Sequence, residues 1–271
     1  MSVITVSRGS FSGGKAIAEG AAAELRYRCV DRDAVVERAA ASGAPANELV
    51  AALEKPPAFL ERFTHKRYLY LTLFQAALAE EVRSGKVVYH GHAGHLLLKG
   101  ASPVFRVRII APLEFRIRMC TERLKMTRDQ AIGYIRDVDQ GRRRWTQYLY
   151  GVDWADPALY DLVLNLETLS IPEAIDIVVA ITEQQRCFDF GPGCQAVMDN
   201  LALGTRVKAA IALNPSTSDL EVEAVADGGK VWVRGKLNRA EQYEEVRNVV
   251  GGVPGVSEMN LEALSERYLQ I

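Results

Sequence analysis

The sequence predicts an α/β fold in which a parallel sheet with helices on both faces carries a phosphate-binding loop, followed by a small α+β unit. Three observations predict it. An apolar β-type run at 3–7 passes through Gly9-Ser10-Phe11-Ser12-Gly13-Gly14-Lys15 into a helical pattern. Strand-like and helix-like stretches then alternate as far as residue 183, the order of a doubly wound sheet. Beyond the Gly-Pro-Gly at 191–193 the order changes to helix, two strands, helix and strand.

Gly9, Gly14 and Lys15 satisfy the G-x-x-x-x-G-K frame. In that frame backbone N–H groups and the positive end of the following helix surround phosphate oxygens, and the lysine reaches the outer phosphates. The bland alternative is a tight turn at a strand–helix junction. The next position usually carries a Ser or Thr whose hydroxyl ligates magnesium; here it is Ala16. Magnesium is then held by phosphates, water and another carboxylate, or is not held.

Taken in order, residues 15–25 read as a helix whose Ala18, Ala21 and Ala22 pack closely on a sheet. A strand at 27–30 ends on Asp31-Arg32-Asp33, and 34–41 is helical. Residues 42–57, with Gly43, Pro45, Pro56 and Pro57, form a broken segment, after which 59–83 is one long amphipathic helix. The β-branched runs at 86–90 and 104–110 are buried parallel strands separated by a turn-rich 90–103. Charged helices follow at 114–124 and 127–147, the second opened by Thr127 as N-cap. A strand at 162–165 leads to a helix at 171–183, entered through Ser170 with Pro172 in its first turn.

With 271 residues, 48% hydrophobic and 25% charged, the chain can bury a full core, and two domains are expected, 1–186 and 197–271, joined by a linker at 187–196. A net charge of −1 argues against a general nucleic-acid binder. No apolar span has membrane length and Met1 leads straight into a strand, so a cytoplasmic protein is expected. Cys29, Cys120, Cys187 and Cys194 show no C-x-x-C pairing and read as inert thiols. His90, His92 and His95 suggest a metal, yet no cysteine or acidic residue in that segment completes a tetrahedral site. Donors to a ligand or to backbone carbonyls are the simpler reading.

The loop, Tyr27-Arg-Cys-Val-Asp31-Arg32, the stretch from Val104 to the Ala111-Pro-Leu-Glu114 turn, Arg136-Asp-Val-Asp139-Gln-Gly-Arg142-Arg143, and Gly151-Val-Asp-Trp154 with Tyr160-Asp-Leu-Val-Leu-Asn165 together resemble the cytidylate-kinase-like proteins over residues 3–182. The resemblance implies a P-loop nucleoside-monophosphate-kinase-like fold. It also implies transfer of the γ-phosphoryl group of ATP to CMP, dCMP or a similar small acceptor, with ATP and Mg²⁺ as cofactors. It places Gly9, Ser10, Phe11, Ser12, Gly13, Gly14, Lys15 and Ala16 around the ATP phosphates. Lys15, Arg116 and Arg142 would stabilise the transferring group, since phosphoryl transfer asks mainly for positioning and positive charge. Asp31 would receive the acceptor or help hold hydrated magnesium, and Arg32, Asp139, Arg142 and His92 would face the acceptor; no direct metal ligand is assigned. His92 stands where the family usually has an arginine, and histidine is the weaker phosphate anchor. Arg116 and Arg142 read equally as cations of a solvated helix, as Arg143 and Arg144 do more simply. Asp31 reads equally as the N-cap of the next helix.

The tail, with a helix at 197–213, strands at 220–225 and 230–235 joined by Asp227-Gly228-Gly229, a helix at 239–250 and a strand at 256–261, resembles a BON domain over 197–264. Val231-Trp-Val-Arg-Gly235 and Val253-Pro-Gly-Val-Ser257 carry that likeness, which implies contact with a small ligand or a lipid surface. Two readings follow: a phosphotransferase, or a nucleotide-binding regulatory protein in which Ala16 and His92 have removed useful turnover. His65, Lys66, Arg67 and Tyr68 face a base or phosphate, or form a wet helix face. The apolar stripe at 68–78 serves a core or a homodimer seam.

Overall fold

The computed structural model describes residues 3–54, 65–91, 93–99, 104–184 and 192–266. In chain order the first elements are β1 (Val3–Arg8), α1 (Gly14–Leu25), β2 (Arg28–Asp31), α2 (Arg32–Ala40), α3 (Ala46–Glu54), α4 (His65–Val82), β3 (Val87–His90) and α5 (Gly94–Leu97). Then come β4 (Val104–Ile110), α6 (Leu113–Leu124), α7 (Arg128–Tyr150), β5 (Leu162–Asn165) and α8 (Ile171–Glu183). The strands form one parallel sheet in the order β2-β3-β1-β4-β5. Val3 sits level with Val87 and Val104, and Arg8 with Ile109.

Strand alternation divides the sheet between two cores. Ile4, Val6, Val88, Phe105, Val107 and Ile109 face α1 and α8, where Ala18, Ala21 and Ala22 allow the close approach expected of an alanine face. Val3, Val87, Tyr89 and Val104 belong to the opposite core, with apolar residues of α2, α3, α4 and α5 and the buried Trp145 of α7. Thr127 and Ser170 both close capping boxes at the helix starts that they mark.

Two segments of this first unit differ from expectation. The segment at 42–57 contains α3, because Pro45 starts a helix: its carbonyl accepts from the Glu48 and Leu49 N–H groups, both at 3.1 Å. Within the turn-rich stretch after β3, 94–97 make one helical turn. The long helix is described from His65 onward, and the earlier residues of its expected range lie outside the described residues, as do Pro56 and Pro57.

The C-terminal unit consists of α9 (Pro192–Leu213), β6 (Val222–Asp227), β7 (Lys230–Leu237), α10 (Gln242–Gly251), β8 (Glu258–Asn260) and β9 (Leu264–Glu266). α9 begins five residues before its expected start, with proline as its first residue, so the end of the expected linker is helical. β7 pairs antiparallel with β6 and parallel with β8 and β9 along its length, a strand more than expected. Leu203, Val207 and Ile211 of α9 face this sheet, whereas Met198 and Ala209 enter the core beneath α4. Gly204 makes the first contact possible, since a Cβ there would lie 2.9 Å from the Ala224 carbonyl oxygen. The stripe on α4 is therefore core: Leu73, Phe74, Ala77 and Leu78 are buried within this chain.

Candidate active site

The glycine-rich loop runs between the carboxyl end of β1 and the amino end of α1. Its shape is fixed by short-range bonds: Ser12 Oγ donates to the Gly9 and Ile109 carbonyls at 3.0 and 3.2 Å. Gly13 turns the chain at φ 80°, and α1 begins without a side-chain cap, so its first N–H groups face outward. Phe11, also at positive φ, turns its ring outward from the loop. It packs on the Ile117, Cys120, Ala131 and Ile135 cluster between α6 and α7 and meets the edge of Tyr134 with ring centres 6.0 Å apart.

The loop opens onto a cavity of about 930 Å³ lined by Arg8, Lys15, Arg32, Arg123, Arg142 and Arg144 against three aspartates. An excess of guanidinium and ammonium groups in one concave space selects an anionic ligand. Lys15 is half-exposed, 3.5 Å from Glu19 one helical turn on. Ala16, the next residue, is exposed and offers no hydroxyl.

Arg116 and Asp139 meet over the loop. Arg116 Nε donates to the Ser10 carbonyl at 2.7 Å and its Nη2 pairs with Asp139 Oδ2. Asp139 Oδ1 accepts from the Ser10 N–H at 3.2 Å and from its hydroxyl at 3.0 Å. Arg142, one turn further along α7, donates Nη1 to the Arg8 carbonyl at 2.9 Å and lies 3.9 Å from Asp139. Burial is the main cause that lowers the Arg142 pKa to about 10; Asp139 opposes it, and Arg8, Arg116 and Arg32 add to it. A buried cluster of cations of this kind is costly without a counter-anion.

Asp31 caps α2, accepting the Ala34 N–H at 2.9 Å, and lines the cavity as well. Arg32 pairs with Asp33 at 2.9 Å at the rim. Arg143 pairs with Asp153 on the surface, while Arg144, read from sequence as a solvated cation, is exposed but lies on the cavity wall. His92 lies outside the described residues, as does Cys187. His90 ends β3 in the cavity wall and burial lowers its pKa, with Arg8 adding to the shift. His95 is buried against Tyr160, and burial beside Arg106 and Arg108 lowers its pKa to about 4. Among the described residues no group of three or more His, Cys, Asp or Glu is placed to hold a metal ion.

The residues offered as a base-facing group on α4 mainly hold the fold together. Arg67 Nη2 donates to the Ala52 carbonyl at 3.0 Å, and Tyr68 bonds both the carbonyl and the N–H of Val222. Sequence reasoning missed Arg8, whose one signal is a charged residue closing an otherwise uncharged strand.

A sequence model of the cytidylate kinase-like family matches residues 3–168. The cytidylate kinase of Staphylothermus marinus is 31% identical over 107 residues, which are 39% of this chain and 59% of that protein. Those of Pyrobaculum neutrophilum and Ignicoccus hospitalis are 27% and 28% identical over 65% of this chain, and the matches cover 90% and 95% of their own lengths. Among solved structures, an uncharacterized protein from Eubacterium ventriosum superposes with a TM-score of 0.54 at 13% identity, covering 68% of this chain and 99% of its own. That likeness extends to the fold alone. No helix among the described residues is long and apolar enough to cross a membrane.

Proposed function

This chain belongs to the cytidylate kinase-like family, and from that premise we propose that it is an ATP-dependent phosphotransferase acting on a nucleoside monophosphate, CMP- or dCMP-like, or a similar small acceptor. The observation that carries the reading is the phosphate loop opening onto a cavity rimmed by six basic side chains.

In the reaction, an oxygen of the acceptor phosphate bonds to the γ-phosphorus as the bond to the β,γ-bridging oxygen breaks and ADP leaves. The acceptor phosphate is largely dianionic at neutral pH, so no side chain needs to remove a proton. The task left to the protein is positioning and charge. Gly9 to Ala16 wrap the donor phosphates with backbone N–H groups, and Lys15 reaches the outer ones. Arg116 and Arg142 stabilise the equatorial oxygens once Asp139 releases them, while Asp31 and Arg32 orient the acceptor from the β2 side. Asp31, which lines the cavity, would help hold hydrated magnesium brought in with the nucleotide, and that ion would supply positive charge to the transferring phosphates.

A second reading is favoured by one specific observation, the coincidence of Ala16 with a carboxylate seated on the loop donors. On that reading turnover is weak, and the C-terminal unit, a BON-like module at 197–271, carries a regulatory output from a small ligand or a lipid surface. The test is ADP formation from MgATP against a panel of nucleoside monophosphates, with Lys15→Ala as the blank. Acceptor-dependent turnover lost in the variant supports the kinase; ATP binding without turnover on any acceptor supports the regulator.

A further inference from the structure

Arg8 is the last residue of β1 and stands directly before the phosphate loop. Its guanidinium lines the cavity, yet Nε is buried and has no hydrogen-bond partner among the described residues. Nη2 lies 3.5 Å from His90 Nδ1, a contact with a ring rather than with a counter-charge. The carboxylates near it are engaged elsewhere: Glu19 with Lys15, Asp31 with the Ala34 N–H, Asp33 with Arg32, and Asp137 with Arg136. Burial, together with Arg123 and Arg32, lowers the Arg8 pKa. A buried, half-satisfied guanidinium among other cations is unfavourable until an anion supplies the missing acceptor.

The direction in which Arg8 leans says which anion. In the sheet order β2-β3-β1-β4-β5, its contact with His90 turns it toward β3 and β2, away from β4 and the helix that delivers Arg116 over the loop. Arg32 and Asp31 lie on that same side, at the carboxyl end of β2.

We propose that Arg8 binds the phosphate of the acceptor, as the specificity-determining guanidinium of the acceptor half of the cavity. The assignment rests on the phosphotransferase reading for the word acceptor, and on the structure alone for the word phosphate. It makes the acceptor a phosphomonoester rather than a neutral alcohol, because a bare hydroxyl would leave the Arg8 Nε–H and charge unanswered.

The experiment uses the full chain in three forms, wild type, Arg8→Met and Arg8→Lys, titrated with ATP and with the bisubstrate probe adenosine-pentaphospho-cytidine. Expected is a loss of about 30-fold or more in probe affinity for Arg8→Met, with ATP affinity within about 3-fold and part of the loss recovered in Arg8→Lys. Equal loss of ATP and probe, or no loss of either, overturns the acceptor assignment. A second measurement needs no variant: the ring of His90, labelled with carbon-13, is followed by NMR as inorganic pyrophosphate is added to the wild type. A saturable shift is expected, and a ring that ignores saturating pyrophosphate overturns the assignment. If no nucleoside monophosphate is phosphorylated and the probe does not bind, yet pyrophosphate moves His90 and Arg8→Met abolishes that response, the kinase reading falls and the phosphate site at Arg8 stands.

Discussion

Asp139 and Arg116 form an ion pair directly over the phosphate loop, and the second oxygen of Asp139 takes the Ser10 N–H and hydroxyl. A side-chain carboxylate thus sits on donors that suit a phosphate, and it is carried by α7 rather than by the loop. Asp139→Asn keeps the shape but removes the counter-charge from Arg116 and Arg142. Without an anion the variant is expected to lose about 1–3 kcal/mol of stability, a buried-pair figure discounted for partial exposure. Added tripolyphosphate should return most of it by filling the vacated charge position. Thermal denaturation of both proteins with and without the anion is the check; a deficit that tripolyphosphate leaves unchanged would show that no phosphate reaches the loop.

Lys15 separates binding from folding. Its ion pair with Glu19 is exposed and 3.5 Å long, so Lys15→Met should change stability by no more than about 0.5 kcal/mol. Turnover on the best acceptor is expected to fall by about 100-fold or more, the scale for removing one positioned charge from a transition state. Urea denaturation beside steady-state kinetics tests both halves of the expectation.

Ala16 is exposed at the start of α1, where a hydroxyl could reach a metal bound to the phosphates. Ala16→Ser should raise magnesium-dependent kcat/KM by several-fold at a helix-propensity cost of about 0.5 kcal/mol. A variant with unchanged kcat/KM across a magnesium titration would mean that the metal is ligated by another group.

Alkaline pH should loosen the seam between the two units. Burial raises the pKa of Tyr68 and of Tyr150 to about 12, and a tyrosine in the unfolded chain ionises near 10. Above pH 10 the unfolded state has therefore lost protons that the folded state keeps, so stability falls as pH rises. The contribution is intact below pH 10 and is lost through 12, at about 1.4 kcal/mol per pH unit for each tyrosine. Tyr68→Phe should remove its share of that slope, while costing about 1–3 kcal/mol at neutral pH through the two bonds to Val222. Denaturant titrations from pH 8 to 11 would expose a slope that the substitution leaves untouched.

The parts of the site that were legible in the sequence are those whose chemistry is local. A glycine-rich turn, a lysine after it and a strand before it are contiguous, and so are Asp139 and Arg142 on one helix face. Arg8 was not legible because a single arginine at a strand end looks solvated; the burial of its Nε depends on elements remote in sequence, including β3, whose His90 lies 82 positions away. α3 was hidden by prolines that read as breakers although Pro45 opens a helix. The double duty of α9 was hidden because Met198 and Leu203 share a helix yet belong to different cores.

That double duty decides the last prediction. The expected division at 187–196 suggests that the first 186 residues fold alone, but α9 covers α4 on the side away from the sheet-facing contacts of its own unit. Met198 is wholly buried in the core that also holds Phe74, Leu78 and Val82, and Asp199 holds Arg83 at 2.5 Å while Gln195 bonds the Arg83 carbonyl at 3.1 Å. Deleting residues 192–271 would uncover that face together with the hydroxyl of Tyr68, leaving apolar surface and a broken bond pair in contact with water. Because α3 and α4 also position Trp145 and Arg67 through the Ala52 carbonyl, the loosened face communicates with the wall of the cavity. The truncated protein should lose several kcal/mol of stability and bind ATP more weakly than the full chain. Denaturation and nucleotide titration of the truncated chain decide it: a fragment as stable as the first unit within the full chain, binding ATP with unchanged affinity, would show that the two units are independent.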